Sequence, residues 1–217
     1  RGFFLDLSRL YAQHGFATLA WDKPGCVDSE GAYADDLDAY AQDALAAVAT
    51  LRKVPEVDPK RIGFWGISQA GWIIAKAAAK DPAVAFSVLV ACCAESTADQ
   101  DRTRIRGTLQ ANGLPEDVVR KALETTDRLR AASAAGKKLA ESGVGPEVEK
   151  EAWWPLAYMG APLAQVYPHL SGVAYDPAQD LARIACRTLV VLGGKDEACP
   201  ADVNRPLYEK AFAGRHD

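Results

Sequence analysis

The chain has 217 residues, long enough for one sizeable domain with or without an insertion. Hydrophobic residues make up 49% and charged residues 25%, the mix of a soluble globular protein rather than a disordered or fibrous one. A net charge of −4 without any basic tract argues against a nucleic-acid partner. The longest apolar run, AVAFSVLVACCA, is well short of the roughly 20 residues a membrane-crossing helix needs, so no membrane span is expected.

The elements follow in chain order. GFFLDLSRLYAQHG has apolar residues at Phe3, Phe4, Leu7, Leu10 and Tyr11, which is helical spacing, and Gly15 supplies the stop. FATLAWD, residues 16–22, is a short apolar run ending in polar residues and predicts a buried strand. KPGCVDSEGAY is rich in turn formers and reads as a loop. DDLDAYAQDALAAVATLRK predicts a strong helix, with Asp35 and Asp36 at its start and Arg52 and Lys53 at its end, where each sign complements the helix dipole. RIGFWG predicts a strand and QAGWIIAKAAAK a helix stopped at Asp81-Pro82. VAFSVLVACC predicts a further buried strand. This alternation of strand and helix implies a mostly parallel sheet covered by helices.

From about 97 to 180 the alternation stops and no convincing strand is present. PEDVVRKALETTDRLRAASAAGKKLAE predicts a long helix with Pro115 in its first turn, ended by Gly143, Gly145 and Pro146. EVEKEAWWPLAYMG and APLAQVYPHLSGVAYDP read as aromatic-rich broken helices or loops. The alternation resumes with the strand CRTLVVLGG, the turn KDEACP and a helix from about Asn204 to Ala213. The middle stretch is therefore expected to be a helical cap inserted between sheet strands. The chain opens on Arg1 inside an amphipathic segment and stops at GRHD without a closing element, so a fragment trimmed at both ends is expected.

Parallel sheets place ligands outside the carboxyl ends of their strands. Asp22, Ser68 and Glu95 all follow predicted strands and should share one rim. GFWGISQAGW puts Ser68 directly between a strand and a helix, with Gly66 and Ala70 two residues to either side. A nucleophile at a sharp strand-to-helix turn needs small neighbours at those positions. Such a turn exposes the hydroxyl at the helix N-terminus, where the Gln69 N–H could stabilise an oxyanion. A serine needs a base, and the base needs an orienting acid. The acid should follow a late strand, where Asp196 stands, with Glu197 beside it and Glu95 as an alternative.

FATLAWDKPGCVDSEG, VDPKRIGFWGISQAGW and RTLVVLGGKDEACP together resemble the α/β-hydrolase superfamily, in its branch of dienelactone-hydrolase-like and acyl-thioester-hydrolase-like serine enzymes with a helical cap. The resemblance runs over the whole chain. It implies the α/β-hydrolase fold, Ser68 as nucleophile, Asp196 as the acid that orients a histidine, and the Gln69 N–H as one oxyanion donor. It implies a second oxyanion donor on a loop upstream of Arg1. The family's D-x-R-G-x-G-x-S loop matches Asp22 to Ser29, with Pro24 in place of Arg and Val27 in place of the second Gly.

The histidine is the gap. His14 ends the first helix, where a cation suits the dipole. His169 falls in the cap and could line a substrate cleft, and His216 comes before a further strand could form. The base is expected downstream of Asp217. Trp153, Trp154, Tyr158 and His169 are candidate substrate-binding residues, since cap aromatics can wall an acyl pocket, although packing of the cap explains the aromatics equally well. The five cysteines form no metal-ligand pattern and read as small buried thiols, which leans to a reducing, cytoplasmic setting. No metal or organic cofactor is implied. The expected activity is hydrolysis of a carboxylic ester or related acyl bond of a small-molecule substrate. A peptidase or amidase on the same fold, and a non-catalytic hydrolase-like binding protein, stay open.

Overall fold

The computed structural model describes residues 2–170 and 174–215. Three strands, β1 (Phe64–Ile67), β2 (Phe86–Val90) and β3 (Arg187–Val191), form a parallel sheet in the order β1-β2-β3. Gly66 pairs with Leu89 and Val90 with Val191, so the three strands end together at one rim. The ladder runs one residue further on each side of β2, through Ser68 N–H to the Val90 carbonyl (3.1 Å) and Ala91 N–H to the Val191 carbonyl (2.8 Å).

Helices cover the sheet. In α2 (Leu37–Leu51) the Asp36 carboxylate caps the first turn by accepting from the Asp38 and Ala39 N–H groups, and Tyr40, Ala41, Ala44 and Val48 face inward. In α3 (Ala70–Lys80) the buried side chains are Ile74 and the small Ala75, Ala77 and Ala78, which let the helix lie close on its neighbours. Leu181 and Ile184, in and just after the helix Ala178–Arg183, and Tyr208 of the helix Ala201–Ala211 complete this core.

The stretch without strands builds a second core of its own. It contains α4 (Thr97–Ala111), α5 (Glu116–Ala134), two short 3-10 turns, α6 (Trp154–Tyr158) and α7 (Leu163–Leu170). The helix Ala178–Arg183 is then α8 and Ala201–Ala211 is α9, with α1 spanning Gly2–Gln13. Ile105, Leu109, Leu123, Leu129, Trp153 and Trp154 are among the side chains of this second cluster. The single long helix expected from 115 is shorter, because Gly136 takes a left-handed φ of 69° just past its end. The pattern gave no sign of α4, which buries only Ile105 and Leu109 on an otherwise polar helix.

Two sequence expectations are corrected. Residues 16–22, expected as a strand, make no ladder pairing among the described residues. A strand exists through its partners, and a cavity of about 890 Å3 lies between this segment and β1, with Leu7 and Tyr11 of α1 on its wall. Cys93 and Cys199, read as free thiols, are joined in a disulfide with their Cα atoms 5.4 Å apart. The common rim of β2 and β3 brings the two within bonding span.

Candidate active site

Ser68 occupies the turn from β1 to α3 with φ 58°, a left-handed conformation that a residue with a side chain adopts at a cost of about 1–3 kcal/mol. Its N–H is held by β2 and its carbonyl accepts from the Gly71 N–H at 3.0 Å. The glycines make the turn possible. A Cβ on Gly66 would lie 2.6 Å from the Ala70 Cβ and 2.7 Å from the Ile74 Cδ1. A Cβ on Gly71 would collide with Cys92. The glycine one place beyond Ala70 is thus required by Cys92, while Ala70 itself fits against Gly66. Burial pushes the Cys92 thiol up to about 12, so it stays a neutral packing group beneath the turn.

The Ser68 side chain is exposed and borders the cavity of about 890 Å3. Gln69 lies at the N-terminal end of α3, with φ −52° and ψ −29°. Its side-chain Oε1 accepts a short hydrogen bond from the Lys23 Nζ, and the same ammonium sits 4.4 Å from the centre of the Tyr40 ring. Lys23 therefore ties the 23–33 loop to the turn. Sequence reading missed this residue, since nothing in the spacing of Lys23 marks its partner. The loop itself is closed by Ser29 Oγ donating to the Asp22 carbonyl at 2.8 Å. Val27, standing where the resemblance expects glycine, takes the left-handed φ of 53° that glycine would favour.

Asp196 lies on the loop after β3, half-buried. Its Oδ1 accepts from the Ala198 N–H at 3.0 Å and the Cys199 N–H at 2.9 Å. Its Oδ2 has no hydrogen-bond partner among the described residues. The turn's own backbone thus holds the carboxylate through one oxygen. The loop is further braced: the Gln100 amide donates to the Ala198 carbonyl at 3.0 Å, and Gly107 lets α4 approach so closely that a Cβ there would lie 2.7 Å from the Glu197 carbonyl.

Glu95, the alternative acid, is buried and fully engaged. Thr103 Oγ1 donates to its Oε1 at 2.6 Å and the Asn204 amide to its Oε2 at 3.0 Å, while Asn204 Oδ1 accepts from the Ala94 and Glu95 N–H groups. This carboxylate is buried and links β2's end, α4 and α9, each oxygen already accepting a side-chain bond, a structural tie between elements. His14 and His169 are exposed, and neither hydrogen-bonds Ser68 or Asp196. His216 lies outside the described residues.

Trp153 and Trp154, candidates for either a substrate pocket or cap packing, are 0% and 1% exposed and pack inside the helical core. Their rings meet edge to face at 5.5 Å, and Trp154 Nε1 donates to the Ala161 carbonyl. Aromatic clustering signalled burial rather than a ligand wall. Tyr158 and His169 do border a cavity, of about 800 Å3, within the helical stretch. It shares no lining residue with the cavity beside Ser68. Burial pushes the Tyr158 phenol up to about 12 despite a 2.9 Å hydrogen bond with the Thr126 hydroxyl.

Among the described residues no group of His, Cys, Asp and Glu could hold a metal ion, and no helix is long and apolar enough to cross a membrane. The family model of the X-Pro dipeptidyl-peptidase (S15) family matches residues 5–210, across both cores and through the Ser68 turn and the Asp196 loop. The chain belongs to this S15 peptidase family. It is thereby an α/β-hydrolase and a serine hydrolase, in agreement with the resemblance drawn from its motifs. This S15-family chain is also similar to the thiohydrolase aneE of Aspergillus aculeatus, 23% identical over 93% of the chain and 67% of the relative. It is 26% identical to a 31.7 kDa protein encoded between traX and finO in Escherichia coli, over 94% of the chain and 71% of that relative. A shorter stretch, 45% of the chain and 34% of the relative, is 32% identical to the polyketide transferase grgF of Penicillium sp.

Proposed function

We propose that the protein hydrolyses a carboxylic ester or thioester, with Ser68 as nucleophile, Asp196 as the orienting acid and the Gln69 N–H as an oxyanion donor. The observation that carries this reading is the left-handed Ser68, exposed at the turn between β1 and α3. A serine held in that costly conformation with its hydroxyl open to a cavity has no packing role to account for it. In this reading Ser68 Oγ attacks the acyl carbon while an imidazole takes its proton. The carbonyl oxygen gathers negative charge and is met by the N–H at the start of α3. The imidazolium returns the proton to the leaving alcohol or thiol, and water repeats the sequence to release the acid.

The imidazole belongs against Asp196 Oδ2, the oxygen without a partner among the described residues. Neither His14 nor His169 bonds Asp196, so in this reading the imidazole comes from another histidine. The helical stretch from about 97 to 180 serves in this reading as a cap. That role is supported by the packing of α4 on the acid loop at Gly107 and Gln100. The acyl-bond class is supported by the thiohydrolase and polyketide transferase relatives.

The family's own description favours a second reading, cleavage of a peptide bond. Two measurements test both. The full-length enzyme should react with a fluorophosphonate probe, and Ser68→Ala should abolish labelling; persistent labelling of the variant removes Ser68 from the mechanism. Turnover of an acyl thioester should exceed that of an Xaa-Pro anilide, and the reverse order selects the peptidase.

A further inference from the structure

The cavity of about 800 Å3 inside the helical stretch lies among α4, α5, α6 and α7, and its size suits a small-molecule ligand. Five alanines line it and leave the space open. Its apolar side carries Val166, Leu170 and Met159. Met159 is 95% exposed and held at φ 52°, so a soft apolar side chain is presented at the cavity rather than tucked into the helical core.

The polar side is an arginine–aspartate cluster. Arg104 donates through Nε (3.2 Å) and Nη2 (2.6 Å) to Asp101 Oδ1, and Arg130 Nη2 donates to Asp101 Oδ2. Arg130 Nη1 reaches Asp127, which also pairs with Arg102. Three guanidinium groups thus face two carboxylates, which leaves the cluster with one net positive charge. Asp101, Arg104 and Arg130 are each largely shielded from solvent, so water screens that charge incompletely. Of these groups Asp101, Arg104 and Arg130 line the chamber, two cations to one anion, and Arg104 Nη1 also donates to the Ala157 carbonyl at 2.9 Å.

We propose that this cavity binds an aliphatic carboxylate, its head against Arg104 and Arg130 and its chain along Val166, Leu170 and Met159. The site stands apart from Ser68 and does not depend on the hydrolytic reading. Such a ligand has the chemistry of an acyl group's free acid.

The test is calorimetric titration of the full-length Ser68→Ala protein with decanoate, 1-decanol and decylamine. Ser68→Ala removes turnover from the readout. Decanoate is expected to bind about tenfold or more tighter than decanol, the worth of one charge-assisted hydrogen bond, and decylamine more weakly still. Ala134→Phe fills the cavity from an exposed position at the end of α5 and should abolish binding. Arg130→Gln should remove the preference for decanoate over decanol; if that variant fails to fold, Ala134→Phe decides alone. Equal binding of decanoate and decanol, tighter binding of decylamine, no binding of decanoate, or full binding by Ala134→Phe each overturns the proposal. The wild-type fluorophosphonate reaction is unaffected by any of these outcomes.

Discussion

The two cores are packed by opposite means. Around Ser68 the sheet half uses the smallest side chains: Gly66 against Ala70, Gly71 against Cys92, and Ala75, Ala77 and Ala78 on the buried face of α3. The helical stretch fills its centre with bulk, two tryptophans and Tyr167 among long aliphatic side chains, and surrounds it with arginine–aspartate pairs. Backbone-to-backbone packing fixes a position to within a methyl group, which suits a residue that must meet a reacting atom. Packing by volume holds a core together without fixing any one backbone atom so closely. Substitutions at the sheet's rim should therefore change rate with little change in stability, and those in the helical core should do the reverse.

The largest expected effect lies at the rim. Ser68→Ala should lower kcat by about 10^4-fold or more while leaving the melting temperature nearly unchanged, since the side chain is exposed and alanine keeps the same left-handed backbone. Steady-state kinetics beside a thermal melt checks both halves, and a large fall in stability would break the comparison. Next come the two acids. Asp196→Asn should cost about 10^2–10^4-fold in kcat, because the amide cannot hold an imidazole in the correct tautomer. Glu95→Gln should leave kcat within about threefold and destabilise the fold by about 1–3 kcal/mol, through its bonds to Thr103 and Asn204. An exchange of these outcomes would make Glu95 the acid.

In the helical core the effect should move to stability. Trp153→Ala should cost about 3–5 kcal/mol by leaving a cavity, read from denaturant unfolding. Phenylalanine sharpens the point. Trp153 Nε1 is buried without a hydrogen-bond partner among the described residues, whereas Trp154 Nε1 donates to the Ala161 carbonyl at 2.9 Å. Trp153→Phe should then cost less than Trp154→Phe, by about 1 kcal/mol. A smaller effect ties α2 to the end of α3. Arg52 bonds Asp81 at 2.8 Å and holds its carboxyl below the usual range. A depressed carboxylate stabilises the fold above its unfolded pKa of about 3.9 and loses that contribution as pH falls through the folded value. The melting-temperature gap between wild type and Asp81→Asn should be constant above about pH 5 and shrink below about pH 4.

What the sequence made legible follows the same division. The Ser68 turn was readable because an apolar run, small residues and a helical pattern meet there, each with a local cause. The place of Asp196 after an apolar strand was readable, but not the network that ties the buried Glu95 to Thr103 and Asn204. Residues 16–22 look like a buried strand because the run is apolar, yet Phe16, Leu19 and Trp21 are exposed and no partner strand lies alongside among the described residues, which a local pattern does not record. For Trp153 and Trp154 the sequence leaves pocket wall and cap packing both open for a related cause: clustered aromatics announce a buried surface without saying what covers it, and here it is the helical core. Helix α4 was invisible because its buried face is two residues wide. The braces on the acid loop, Gln100 and Gly107, join residues about ninety positions apart through tertiary contact alone.

The smallest effect concerns the loop tied to the elbow by Lys23. Val27 is β-branched, 69% exposed and at φ 53°, so its side chain gains no packing and strains its backbone. Left-handed strain at such a residue costs about 1–2 kcal/mol, which glycine would relieve. Glycine also gives the unfolded chain more freedom, which offsets about 0.4–1 kcal/mol of that gain. Val27→Gly should therefore stabilise the fold by less than about 1 kcal/mol, read as a small rise in melting temperature. Its effect on kcat should be negligible, because the loop reaches the Ser68 turn through Lys23 and Gln69 side chains, not through residue 27. A loss of stability would mean that the exposed valine is covered by something in the whole protein. A change in kcat without a change in stability would mean that the loop's exact path sets the elbow, which would extend backbone-placed precision beyond the sheet rim.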